Sequence, residues 1–329
     1  MPIIEPAPWR HQFFADVACP HDLFIPTDDP EAWEWNPRHR WVFDKLQVAL
    51  SQGLPAGPHG TKPPRFPVFS KPIMNFRGLG AGSRILASAE DYDLHHAPGH
   101  FWMTLLEGRH VSTDVAVVAG KPRWWRHVTG LAVGEGMFDT WTVHAARDAE
   151  IEGYCGSWIS DNLQGYTGML NLETIGGRII EAHLRLSDQW PDLYGRGWID
   201  AFVGLYRDQI WTYPDADRRD GFSLVLCGPP DRQYRHPPAE LIGRVEQMPG
   251  VSSVQITFHE GRAAELHAMP PGGFRVAVVN AFDRAQGEMA REALRSFFLG
   301  AEPAVNIQGG SGAQPGARQQ RMAGSRETA

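Results

Sequence analysis

Two carboxylates, Glu173 and Glu181, flank the dipeptide Gly176-Gly177 in the stretch from Gly168 to Arg185. Two runs of alternating apolar and polar residues meet at these glycines, which predicts a β-hairpin. Residues two apart in a strand share a face. Asn171 therefore lies with Glu173, and Glu181 lies with His183 and Arg185. A three-residue loop sets Glu173 opposite Glu181 and Asn171 opposite His183. A strict two-residue turn puts the carboxylates on opposite faces instead, and the sequence leaves both registers open. Carboxylates on one face repel unless a cation lies between them, and hard oxygen donors suit Mg²⁺ bridging nucleotide phosphates. A solvated sheet face is the plain alternative.

A second feature lies upstream. Residues 75 to 83 read Asn-Phe-Arg-Gly78-Leu-Gly80-Ala-Gly82-Ser83. Such spacing lets backbone N–H groups approach phosphate oxygens with no Cβ in the way. It is not a P-loop, since no Gly-Lys-Ser/Thr closes it, and it lacks the spacing of a dinucleotide fingerprint. Lys71 ends the β-like run just before it, where a lysine can meet phosphate as a point charge.

These residues need elements to place them. A helix is expected over 41–52, with Val42, Leu46, Ala49 and Leu50 on one face and Gly53 as its stop. Residues 66–70 and 111–119 read as strands. The stripe Ile151, Tyr154, Cys155, Trp158, Ile159 and Leu163 marks a helix over 147–163. A second amphipathic helix spans 196–211. Strands near 222–227, 251–258 and 274–281, with a helix over 285–298, predict a small C-terminal α+β unit. Residues 1–37 read as an irregular arm, and 305–329, without an aromatic residue, as a disordered tail.

Composition narrows the class of protein. The 329 residues are 42% hydrophobic and 21% charged, as in globular proteins, and carry a net charge of −7. The basic footprint of a nucleic-acid binder is absent. No apolar run reaches the roughly 18 residues of a membrane span. The opening MPIIEPAPWR has no basic region followed by an apolar core. The three cysteines, Cys19, Cys155 and Cys227, are spaced like reduced thiols. A cytoplasmic protein that touches neither membrane nor nucleic acid is expected.

Read in order, the pieces resemble the ATP-grasp superfamily, in its biotin-carboxylase and carbamoyl-phosphate-synthetase style. The resemblance runs over about 38–195: Asp44-Lys45-Leu46, Gly53-Leu54-Pro55, Phe66-Pro-Val-Phe-Ser-Lys71, the glycine loop, Leu105-Leu106-Glu-Gly-Arg-His110, and Glu181-Ala-His183-Leu-Arg185. It implies an α+β, ATP-grasp fold with a reduced N-terminal region, a core over 38–215 and the small α+β unit over 216–304. It also implies a Mg²⁺-ATP-dependent ligase joining small-molecule carboxylate and amine substrates through an acyl phosphate. By that resemblance Lys45 and Lys71 hold ATP phosphates, and Gly78, Gly80, Gly82 and Ser83 close over them. Leu105 and Leu106 meet adenine, and His110 lies near the ribose. Asn171 or Glu173, with Glu181, binds Mg²⁺, and His183 stands where the family has a ligating asparagine. Arg185, with Lys71, steadies the reacting group.

The chain also departs from the pattern. Met103 and Thr104 replace the acid that opens the family's hinge, and Gln189 and Trp190 replace a Glu and a His of the carboxylases. Few residues precede Asp44 where the family has an α/β domain, so a second copy or a partner subunit is expected to complete the acceptor site. Two other readings belong to different classes. One is a catalytically reduced fold that senses nucleotide or binds a partner. The other is a Trp-lined carbohydrate hydrolase using Glu173 and Glu181.

Overall fold

The computed structural model describes residues 3–300, except 77–79, 81, 135, 268 and 271. The N-terminal arm begins with β1 (Ile3–Ile4), a 3-10 helix (Pro8–Phe14) and β2 (Ile25–Pro26), which pairs parallel to β1. It ends in α1 (Asp29–Trp35), where Asp28 caps the helix by accepting from the Asp29 N–H. The arm is thus more regular than its proline content predicts, since Pro8 and Pro30 sit in first turns, where no N–H partner is lost.

After a 3-10 turn (Arg40–Phe43), α2 (Lys45–Ser51) starts where Asp44 accepts from the Gln47 N–H at 2.9 Å. This cap fixes Lys45 as the first helical residue. A small sheet follows: β3 (Ala56–Pro58), β4 (Val68–Pro72), β5 (Arg84–Leu86) and, after α3 (Ala89–Leu94), β6 (His100–Thr104). Its order is β3-β6-β4-β5, all antiparallel, so the glycine loop is the connection of the β4–β5 hairpin.

The large sheet contains β7 (His110–Val118), β8 (Lys121–Gly134) and β9 (Met137–Val143). Beyond α4 (Ala149–Asn162) it adds β10 (Gly168–Ile175) and β11 (Arg178–His183). Past a 3-10 turn (Pro191–Tyr194) and α5 (Trp198–Asp208) come β12 (Gly221–Gly228), α6 (Ala239–Glu246), β13 (Val251–Ile256), β14 (Phe274–Ala281) and α7 (Arg284–Leu299). All eight strands form one sheet, in the order β11-β10-β7-β8-β9-β12-β14-β13. The expected boundary at 215/216 falls in the loop before β12, and β12 pairs with β9, so the C-terminal strands share the sheet of β7 to β11.

Alternation along the strands gives the sheet two apolar faces. Val111, Val115, Leu170 and Leu172 meet Cys155, Trp158 and Ile159 of α4 on one side. Met169, Ala116, Trp124 and Val143 meet Trp198, Phe202 and Leu205 of α5 on the other. Most tryptophans go into this packing, Trp198 with no exposure at all. No helix among the described residues is long and apolar enough to cross a membrane.

Candidate active site

The β10–β11 hairpin settles the register by a route neither simple turn predicts. Ile175 pairs with Arg178 across Gly176-Gly177, a two-residue turn. The pairing then shifts: Thr174 faces Ile179, Glu173 faces Glu181 and Asn171 faces His183. Ile180 is the extra residue of a β-bulge. The bulge returns both carboxylates to one face after a turn that would have separated them. Two side chains hold it. Gln52, at the end of α2, donates to the Ile179 carbonyl at 2.7 Å and accepts from the Ile179 N–H at 2.8 Å. Lys71 Nζ donates to the Ile180 carbonyl at 2.8 Å.

Lysines from two elements converge on Glu181. Lys45 Nζ is 2.7 Å from Glu181 Oε1, and Lys71 Nζ is 3.7 Å from the same oxygen. Both lysines are buried. Burial lowers Lys71 to about 8, against the pull of Glu181. Burial alone would raise Glu181, but Lys45 and Lys71 outweigh it and hold its carboxyl well below the ordinary value. Glu173 accepts from His110 Nε2 at 3.2 Å. Burial would raise Glu173, yet His110 keeps it low, and the same contact overcomes burial to raise His110.

Behind this group stands Asp29 of α1. Its carboxylate lies 3.0 Å from His183 Nδ1 and 2.8 Å from Arg185 Nε. His183 Nε2 lies 3.7 Å from Glu181 Oε2. Burial opposes protonation of His183, but Asp29 prevails and raises it to about 9, so the ring is an imidazolium at neutral pH. Arg185 is likewise raised against burial by Asp29. One strand deeper, Asn171 donates to Asp114 Oδ1 at 2.7 Å and to Ser112 Oγ at 2.9 Å. Tyr194 and the Ser187 N–H also donate to Asp114, which burial nonetheless raises to about 6.

No protein-family model matches the sequence, and a search of curated proteins finds no match. Solved structures do match. Phosphoribosylamine–glycine ligase from Thermotoga maritima is 15% identical with a TM-score of 0.59, over 86% of this chain and 85% of that one. L-amino acid ligase from Bacillus licheniformis is 12% identical with a TM-score of 0.55, over 87% and 81%. N5-carboxyaminoimidazole ribonucleotide synthetase from Thermus thermophilus is 14% identical with a TM-score of 0.54, over 92% and 82%. All are ATP-grasp enzymes. This chain has the ATP-grasp fold.

Within that fold the expected residues divide. Lys45, Lys71, Glu181, Glu173 and His110 come together, with His110 bonded to Glu173. Leu105 and Leu106 are half-buried between β6 and β7, at the joint of the two sheets. Gly80 and Gly82 have positive φ, and Ser83 donates its N–H to the Gly80 carbonyl at 3.1 Å. Gly78 lies outside the described residues. Asn171 and His183, the other two expected metal ligands, pair with each other across the hairpin and each also bonds to a buried aspartate. Asn171 faces Asp114 on β7 and donates its amide N–H groups there. His183 bonds to Asp29 through Nδ1 and turns Nε2 toward Glu181, 3.7 Å from Oε2. The sequence reading missed Asp29 and Asp114. Asp29 stands in a legible helix start, Thr27-Asp28-Asp29-Pro30, but nothing local ties it to a histidine far along the chain.

Proposed function

We propose that the protein is a Mg²⁺-ATP-dependent ligase that joins a small-molecule carboxylate to an amine through an acyl phosphate. The convergence of Lys45 and Lys71 on Glu181 carries this reading. Two ammonium groups beside one carboxylate suit a triphosphate. Among the described residues no group of three or more His, Cys, Asp or Glu could hold a metal alone. Glu173 and Glu181 still fit Mg²⁺, because that ion keeps waters and takes one or two carboxylates together with substrate phosphates. Bound there, it would neutralise phosphate charge.

In the proposed reaction a carboxylate oxygen of the acceptor attacks the γ-phosphorus and ADP leaves. The amine then attacks the acyl carbon and inorganic phosphate leaves. Lys45 and Lys71 offset charge on the phosphates, and the backbone N–H groups of the β4–β5 loop can close over them. Arg185, oriented by Asp29, stabilises the oxygens that gain charge. The cytoplasm is the setting such a reaction fits. The test is ADP release on adding Mg²⁺-ATP to the protein with amino acids and small carboxylates.

One observation favours a second reading, a reduced fold that binds nucleotide without turnover. Asp29 already occupies both His183 and Arg185. ATP binding with no ADP release under any acceptor would favour that reading.

A further inference from the structure

The face of the large sheet that bears Glu173 continues to a second charged group. Trp141 of β9 lies opposite Ser223 of β12, and Ser223 opposite Asn280 of β14. Gln189, in the loop after Arg185, donates to Ser223 Oγ at 2.9 Å and accepts from Arg275 Nη1 at 3.3 Å. Arg275 therefore reaches over the same face from the far end of β14. From the N-terminal arm, Arg10 pairs with Asp188 and stands 4.0 Å from Glu5.

The charges here do not balance. Among the described residues Arg275 has no carboxylate in ion-pair reach, and the one hydrogen bond of its side chain goes to neutral Gln189. The Nε atoms of Arg275 and Arg10 are both buried without a hydrogen-bond partner. Burial and repulsion from Arg10 bring Arg275 down to about 10, still charged at neutral pH. Glu5 is raised to about 7 by burial and by Asp188, so it is only a partial counter-charge. Asp188 is the carboxylate that pairs with Arg10. A half-buried guanidinium whose Nε is shut off from water and partner is costly. The cost is removed when a ligand brings the anion, and a guanidinium fork matches carboxylate and phosphate oxygens. Asp188 follows Arg185 by three residues on one loop, so this group adjoins the proposed reaction centre.

We propose that Arg275 and Arg10 seat a second oxyanion of the acceptor substrate, a carboxylate or a phosphate remote from the group that reacts. The proposal rests on the ligase reading and narrows it to acceptors with an extra negative charge. Asp188, already on Arg10, competes with that ligand.

Calorimetric titration of the full chain tests this, with succinate and inorganic phosphate as separate probes. One of them is expected to bind, and which one separates a carboxylate from a phosphate. Arg275→Gln should weaken that binding by about tenfold or more, the range for a lost charged hydrogen bond. Asp188→Asn should tighten it, which also decides the matter if Arg275→Gln fails to fold. Failure of both probes to bind overturns the proposal, as does equal binding to wild type and both variants. Mg²⁺-ATP titrated into the same wild-type protein reads the ligase proposal separately: ATP binding without anion binding removes only the anion seat.

Discussion

Lys71 does two jobs with one ammonium group. It donates to the bulge carbonyl of Ile180 and faces Glu181, so it ties the small sheet to the hairpin that carries the carboxylates. Its position at a strand end beside a glycine loop made it legible in sequence. The fate of His183 was not legible, because its protonation is set by Asp29, which lies 154 residues earlier. An imidazolium at that position adds a third cation around Glu181. Asp29→Asn removes the charge that raises His183. NMR titration of that ring should then give a midpoint well below about 9, with Arg185 freed from its ion pair. An unchanged midpoint would mean that Glu181, not Asp29, sets the proton.

The hairpin was legible as an element from its alternation and its glycines, but its register was not. The bulge at Ile180 depends on Gln52 and Lys71, which belong to other elements, and periodicity carries no record of them. Gly176 has a further task. It has a φ of +55°, and a Cβ there would collide with the carbonyl oxygen of Glu107 in the joint between the sheets. Its N–H donates to the Arg109 carbonyl at 3.2 Å. Gly176→Ala should therefore cost on the order of 1–3 kcal/mol in chemical denaturation. A variant as stable as wild type would show that the joint gives way without strain.

At the scale of the molecule, the expected helices and C-terminal strands lie close to their sequence-based bounds, while the pairing of the strands has no local signal. Pairing of β12 with β9 joins segments far apart in the chain, and no local pattern encodes it. The same holds for the arm, whose prolines suggested irregularity but whose helix delivers Asp29. The arm also gives stability a pH signature. Glu5 shifts from 4.5 to about 7 on folding. Between those values the folded chain holds more protons than the unfolded one, so Glu5 makes unfolding easier as pH rises across that window. Glu5→Gln should flatten this part of the wild-type dependence in denaturant titrations at several pH values. An unaltered slope would place the titrating group elsewhere.

In the proposed function Lys45, Lys71 and Glu181 receive Mg²⁺-ATP. Calorimetry of wild type and Lys71→Met with ATP, with and without Mg²⁺, addresses it most directly. Saturable binding is expected, stronger with Mg²⁺ and about tenfold or more weaker in the variant. No ATP binding by wild type, or equal binding by both proteins, would contradict it.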